Sequence, residues 1–369
     1  MTQNRRSFSQ LARTAILDPA LQRPDWTKIT PRDPKLLWLD KNENNDPILA
    51  AITSRILHEI DPKSMAIYPD FGPFYNKLSS YLGVDPYSLL LAPGSDGVIR
   101  AVFETFINPG DIVIHTQPSY AMYGVYCRMF GATAMPLEYQ RNDHGPWLSM
   151  ETVIDRIRQI RPKVVCLPNP DSPTGTVFTP DQLLRIIEAA GEVGALTLID
   201  EAYYPFYPHT ASAWINQHPH LIVAQTFSKA WGLTGLRLGY GIASHEVTNL
   251  LHKVRPNYEV NMIAIAVADR MLDCSNEMTA SVRRLNQGRD NFIGAMNEIG
   301  FRTLPSQGSF LHVDFSPYAP AVHDTLKEVV LYRQDFKEPC LKGFSRFSAT
   351  TTELFQPVID RIREVVIRT

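Results

Sequence analysis

Four short segments of this chain put reactive side chains where an anionic carbonyl compound could be held and worked on. One is Gln225-Thr226-Phe227-Ser228-Lys229, with Arg237 eight residues beyond the lysine. A desolvated lysine near cationic groups has a lowered pKa and can add to a carbonyl carbon as the free amine. Another is Asp200-Glu201-Ala202-Tyr203, which closes the apolar run 196–199. An ionised aspartate there is costly unless a cation meets it. In the loop 168–175, two prolines before Ser172 and Pro173-Thr174-Gly175 after it fix a tight turn that also carries Asn169. Finally, Ala92-Pro93-Gly94-Ser95-Asp96-Gly97 opens a helical pattern from Val98. Small residues at a helix N-terminus leave N–H groups free for a phosphate. Singly, each segment reads as a cap, a turn or a surface lysine. In order, each after an apolar run, they read as one site.

Those runs are the elements that must position the site. Residues 88–91, 112–114, 164–167, 196–199 and 222–224 are continuous enough to be strands buried on both faces. Amphipathic stretches separate them. Val98, Ile99, Val102, Phe103 and Phe106 share one helical face, and Leu183, Leu184, Ile186, Ile187 and Ala190 share another, begun by Thr179-Pro180-Asp181. Alternating strands and helices imply an α/β fold, with a three-layer α/β/α large domain around a mostly parallel sheet. Ligands bind at the carboxyl ends of the strands in such sheets. Beyond residue 255 the texture changes to long helices (261–272, 280–299), short strands (309–313, 329–333, 344–348) and a closing helix from Thr352. The expected division is an arm over 1–50, a large domain over 51–255 and a smaller α+β domain over 256–369, completed by the N-terminal arm.

Composition excludes several alternatives. With 36 Lys and Arg against 38 Asp and Glu in 369 residues, the net charge of -2 gives no basic footprint for nucleic acid. The four cysteines form no CxxC pair, which fits a reducing compartment and gives no metal framework. No apolar stretch is long enough for a signal peptide or a membrane span, so a cytoplasmic protein is expected. Gly232, Gly235, Gly239 and Gly241 have the wrong spacing for a dinucleotide fingerprint.

The run from Ser228 to Tyr240, with Lys41-Asn42-Glu43-Asn44, Tyr68-Pro69-Asp70 and Arg346, resembles fold-type I pyridoxal-phosphate enzymes of the histidinol-phosphate aminotransferase-like branch. The resemblance covers nearly the whole chain. It implies that Lys229 carries pyridoxal phosphate as a Schiff base and later moves a proton at the substrate Cα. Asp200 would pair with the pyridine nitrogen, Tyr203 would hydrogen-bond the ring hydroxyl and Tyr120 would stack on the ring. Ser95, Asp96, Thr226, Ser228 and Arg237 would hold the phosphate. Tyr68 resembles the tyrosine that reaches a neighbouring subunit's cofactor, implying a homodimer with a shared active site. Arg346 would meet a carboxylate or a phosphate of the substrate, with Asn42 beside it. The implied reaction moves an amino group between an amino acid, glutamate being the expected donor, and a small carbonyl compound, phosphorylated or not. Decarboxylation of a phosphorylated amino acid is the alternative, and nothing in the Lys229 or Asp200 segments separates the two.

The sequence departs from the family pattern at three places. Ser172 stands where the family usually has an asparagine that donates to the ring hydroxyl, so either Ser172 reaches through water or Asn169 swings in. Gly97 replaces a common glutamate, and Asn45 a common proline. These changes point to a specialised biosynthetic substrate rather than histidinol phosphate itself.

Overall fold

The computed structural model describes residues 11–21 and 24–368; the opening residues 1–10 of the expected arm lie outside the described residues. The strands, in chain order, are β1 (Leu37–Trp38), β2 (Leu89–Ala92), β3 (Ile112–Gln117), β4 (Thr133–Glu138), β5 (Gln140–Asn142), β6 (Gly145–Trp147) and β7 (Val164–Pro168), followed by β8 (Leu196–Asp200), β9 (Leu221–Thr226), β10 (Gly239–Ala243), β11 (Arg302–Leu304), β12 (Phe310–Asp314), β13 (Val330–Leu331) and β14 (Phe344–Ser348). Seven of them form the large sheet in the order β2-β10-β9-β8-β7-β3-β4. Only β10 runs against its neighbours β2 and β9; the other pairings are parallel.

Each apolar run is a strand because it has two helix layers to face. Leu89, Leu91, Val165, Leu167, Ile199 and Val223 point into one core, which the helices Gly72–Leu82, Met150–Ile160 and Pro180–Glu192 cover. Their alternate neighbours Leu90, Val164, Cys166, Leu198, Ile222 and Ala224 point into the other, under Gly94–Phe106, Met122–Phe130 and His245–His252. Burial on both sides removes the polar alternation that a half-exposed strand would show. The expected three-layer α/β/α arrangement is therefore present. Thr179 starts its helix with a capping box, its side chain and that of Gln182 bonding reciprocally to backbone.

The C-terminal part is a second, smaller sheet, β11-β12-β14, all antiparallel. Its apolar face, including Leu311, Val313 and Phe347, packs with Phe292, Phe355 and Ile362 of the helices Ser275–Ile299 and Thr352–Arg368. The N-terminal segment joins this part, because β1 pairs in parallel with β13. Among the described residues no helix is long and apolar enough to cross a membrane, and no group of His, Cys, Asp or Glu is arranged to hold a metal ion.

The two long helices meet closely at Gly288, where a Cβ would strike the Thr350 carbonyl and the peptide between residues 351 and 352. Gly288→Ala is therefore expected to lower the unfolding free energy by about 1–3 kcal/mol, the usual cost of overpacking, as measured by urea denaturation. Unchanged stability would contradict this contact.

Candidate active site

Six of the seven large-sheet strands run the same way, so the ends of β2, β3, β7, β8 and β9 share one edge with the beginning of the reversed strand β10. A cavity of about 480 Å³ opens there, lined by residues that follow those strand ends. Arg346 from β14 and the segment containing Lys41 and Asn42 complete its wall.

Around β2, β9 and β10 the lining is an anion site. The helix Gly94–Phe106 begins four residues before the expected start at Val98, so Ser95 and Asp96 lie in its first turn. That early start needs glycine at two places. A Cβ on Gly239 would lie 2.5 Å from the Gly94 carbonyl carbon and 2.6 Å from the Ser95 nitrogen, and one on Gly94 would lie 2.8 Å from Arg237 Nη2. Thr226 Oγ1 donates to Ser228 Oγ at 3.0 Å and accepts from the Ser228 backbone N–H at 3.1 Å. Arg237, itself at a left-handed φ of 54°, donates from Nη1 to Ser228 Oγ and to the Thr234 carbonyl, both at 3.1 Å. No carboxylate pairs with Arg237 among the described residues. Helix N–H groups, hydroxyls and an unpaired guanidinium make a suitable cradle for a phosphate.

One strand over, at the end of β8, Asp200 is buried. Tyr123 Oη donates to it at 3.1 Å and the Ala202 N–H at 3.1 Å. Burial outweighs these donors and pushes its pKa up to about 6. Lys229 donates from Nζ to the Lys41 carbonyl at 2.9 Å. Its pKa is lowered to about 8, first by desolvation and then by the positive charge of Arg346. Tyr120 forms a side wall, its hydroxyl donating to Asp96 at 3.0 Å and its ring edge-on to Tyr123. Asp96 also accepts from Tyr126 at 3.0 Å, so its side chain is held at the first turn of the helix.

The remaining wall comes from the smaller sheet. Arg346 is 5% exposed and stacks over Phe310 at 5.2 Å. Nη2 donates to the Asp40 carbonyl at 3.0 Å, Nη1 reaches Ser172 Oγ at 3.5 Å, and Nε has no partner. Burial brings its pKa down to about 10. Asn42, buried with a φ of 56°, donates from Nδ2 to Tyr203 Oη at 2.7 Å, while its own Oδ1 has no partner. Ser172 also hydrogen-bonds Tyr203, so Arg346, Ser172, Tyr203 and Asn42 form one chain of contacts.

Two expected residues stand elsewhere. Asn169 cannot swing into the cavity: Nδ2 donates to the Phe178 carbonyl at 3.3 Å and Oδ1 accepts the Phe178 N–H at 2.8 Å, a clamp that spends both ends of the amide on backbone. Of the two, only Ser172 lies beside Tyr203. Tyr68 is absent from its own chain's cavity lining and is 74% exposed, stacked on Tyr258 with ring centroids 4.2 Å apart. The structure adds residues that sequence reading did not single out. Tyr123 holds Asp200, and its place one helical turn after Tyr120 was the available signal. Arg333 and Glu338 line the cavity as well, but neither stands in a pattern that marks it.

Comparison with known proteins agrees with this geometry. Residues 34–362 match the family described as aminotransferase class I and II. The chain belongs to that family. A class I and II relative, the histidinol-phosphate aminotransferase of Thermoanaerobacter pseudethanolicus, is 30% identical over 332 residues, covering 89% of this chain and 93% of the relative. The crystal structure of histidinol-phosphate aminotransferase from Sinorhizobium meliloti in complex with pyridoxal-5'-phosphate superposes with a TM-score of 0.78 at 21% identity, over 90% of this chain and 91% of that one. That of L-threonine-O-3-phosphate decarboxylase from Porphyromonas gingivalis gives 0.75 at 20% identity, over 90% of this chain and all (100%) of that one. The protein is thus a pyridoxal-phosphate-dependent aminotransferase similar to histidinol-phosphate aminotransferase. The residues present fit the cofactor. A guanidinium without an ion pair among the described residues, together with hydroxyls and helix N–H groups, suits its phosphate, and a buried carboxylate that forms no ion pair suits its ring nitrogen. A lysine of lowered pKa suits its aldehyde.

The shift of Lys229 has a sign that can be checked. Below about 8 the amine is protonated and cannot add to a carbonyl. The rate at which cofactor-free protein captures pyridoxal phosphate should therefore rise with pH and level off above about 8. An unshifted lysine would keep rising toward pH ~10.

Proposed function

We propose that the enzyme moves an amino group from glutamate to a small carbonyl compound that carries an anionic group, phosphate being the best fit. The observation that carries this reading is the pairing of two unneutralised guanidinium groups, Arg237 and Arg346, with Lys229 in one cavity. Arg237 belongs to the cofactor's phosphate cradle, with Thr226, Ser228 and the N–H groups of Ser95 and Asp96. Arg346, with its orphaned Nε, is left for an anion on the substrate. Bound pyridoxal phosphate supplies an electron sink conjugated to the substrate Cα.

The other roles follow from the contacts. Lys229 Nζ, oriented by the Lys41 carbonyl, takes the proton from the substrate Cα. Asp200, oriented by Tyr123 and the Ala202 N–H, would hold a proton on the ring nitrogen of the bound cofactor. Tyr203, braced by Asn42 and Ser172, would donate to the ring hydroxyl of the bound cofactor, and Tyr120 would pack against its ring. Asn42 Oδ1 is the free acceptor for the substrate's amine.

The working form is a homodimer. Met65, Ile67, Tyr68 and Tyr258 leave an exposed apolar surface for a second copy. Tyr68 would reach the partner's cofactor from there. Four free cysteines fit operation in the reducing cytoplasm.

The deciding experiment is the single-turnover half-reaction. Glutamate should bleach the visible band of the loaded enzyme to that of the amine form, and a small phosphorylated ketone should restore it. Histidinol phosphate is tested as an alternative donor, and its efficient turnover would assign the substrate of the similar relatives. Arg346→Ala should need some tens of times more glutamate, since a charge-assisted hydrogen bond contributes about 2 kcal/mol. Release of carbon dioxide without transfer of the amine would replace transamination with decarboxylation.

A further inference from the structure

Asp171 is the buried charge that the reaction does not account for. It is fully buried (0% exposed) and no cation pairs with it among the described residues. Three hydroxyls serve it instead. Thr116 Oγ1 and Tyr139 Oη donate to Oδ2 at 2.7 and 2.9 Å, and Ser119 Oγ donates to Oδ1 at 2.8 Å. Its backbone closes the loop on itself, the N–H donating to the Thr176 carbonyl at 2.9 Å and the carbonyl accepting from Gly175 at 2.8 Å. Burying a carboxylate without a counter-ion is expensive, and an apolar or amide side chain could close a turn at lower cost.

The location of the three donors shows what the carboxylate joins. Ser119 immediately precedes Tyr120, which lines the same cavity as Ser172 and Tyr203. Thr116 lies near the end of β3. Tyr139 packs in a small apolar cluster with Phe336 and Phe344, on the C-terminal segments that carry Arg346. Asp171 itself immediately precedes Ser172, which touches both Arg346 and Tyr203. One side chain therefore holds the Tyr120 wall, the Ser172 wall and the C-terminal cluster in register. Glu201, another buried acid outside the reacting groups, differs in this respect. Its partners Thr210, Ala211 and Gln225 do not line the cavity.

We propose that Asp171 is a positioning residue for the reaction: by accepting from Ser119, Thr116 and Tyr139 together it sets the separation and tilt between the Tyr120 wall and the Ser172–Tyr203–Arg346 wall. The inference rests on the aminotransferase reading in that the bound cofactor serves as reporter. Replacing the carboxylate by an amide converts an acceptor into a donor, so Ser119, or Thr116 and Tyr139, lose their acceptor while the volume stays the same.

The test is Asp171→Asn, loaded with pyridoxal phosphate and compared with wild type by circular dichroism in the cofactor band, thermal melting and steady-state kinetics. Expected are a bound cofactor, a melting temperature within a few degrees of wild type, an altered cofactor-band signal, and kcat reduced by roughly ten- to a hundredfold with little change in KM, the scale of a small misplacement of reacting groups. An unaltered band with unaltered kcat overturns the proposal. So does a lowered melting temperature with a normal band and kcat, which would make Asp171 purely structural. Should Asp171→Asn fail to fold, Ser119→Ala removes one of the three bonds, and its cofactor band must differ from that of the wild type; an unshifted band overturns the proposal. A wild-type protein with no cofactor band at all would instead count against the aminotransferase reading.

Discussion

Asp200 ends a strand whose last four residues are buried, and among the described residues it forms no ion pair, the charge of Lys229 acting on it only from across the cavity. A phenol and one backbone N–H are not enough to offset desolvation, which leaves the carboxyl titrating near neutrality. A cationic ring nitrogen at that place would relieve the cost. The same logic holds in reverse for Arg237, Arg346 and Lys229, whose positive charges share one cavity without ion pairs among the described residues. The cavity is stable in its own fold yet electrostatically incomplete, and the pattern of what is missing describes a zwitterionic ligand with a phosphate. Sheet polarity, glycine placement and loop closure can be understood as the means of keeping these groups together but apart from one another.

Two sheets divide that work. The large sheet carries the groups for the cofactor at the edge where parallel strands end, and its reversed strand β10 brings Arg237 to the same edge. The smaller sheet carries Arg346, the group proposed for the substrate. His312 of β12 lies opposite Arg346 of β14, buried, and held neutral with its pKa pulled down to about 3 by burial and by that arginine. The contact between Arg346 and Ser172 is thus also a contact between the two parts of the molecule. A substrate anion that engages Arg346 acts on both.

Much of this was legible in the residues. The five apolar runs are all strands, because burial on both faces leaves a signature that period and composition can read. The chemistry-bearing segments follow strand ends, so Lys229, Asp200, Tyr203, Ser95 and Arg237 come together as their order suggested. What could not be read is instructive. Strand β10 is Gly-Tyr-Gly-Ile-Ala, and its glycines are required by the helix start it passes, so it carries no strand-like run. Edge strand β4 alternates irregularly because one side meets solvent. Asn169 and Ser172 were open alternatives for one role; only the Phe178 backbone, nine residues away, decides against Asn169. The partners of Asp171 are 32 to 55 residues distant, beyond any local pattern.

Ser172 links Arg346 to Tyr203, and in the proposed reading Tyr203 would be the principal partner of the ring hydroxyl. All of this depends on the cofactor being attached to Lys229. The most direct measurement is borohydride reduction of the pyridoxal-phosphate-loaded protein, followed by peptide mapping by mass spectrometry. The account predicts a single stoichiometric modification on the peptide containing Lys229, and its loss when excess glutamate precedes the borohydride. Modification of another lysine, or of several in substoichiometric amounts, would contradict it.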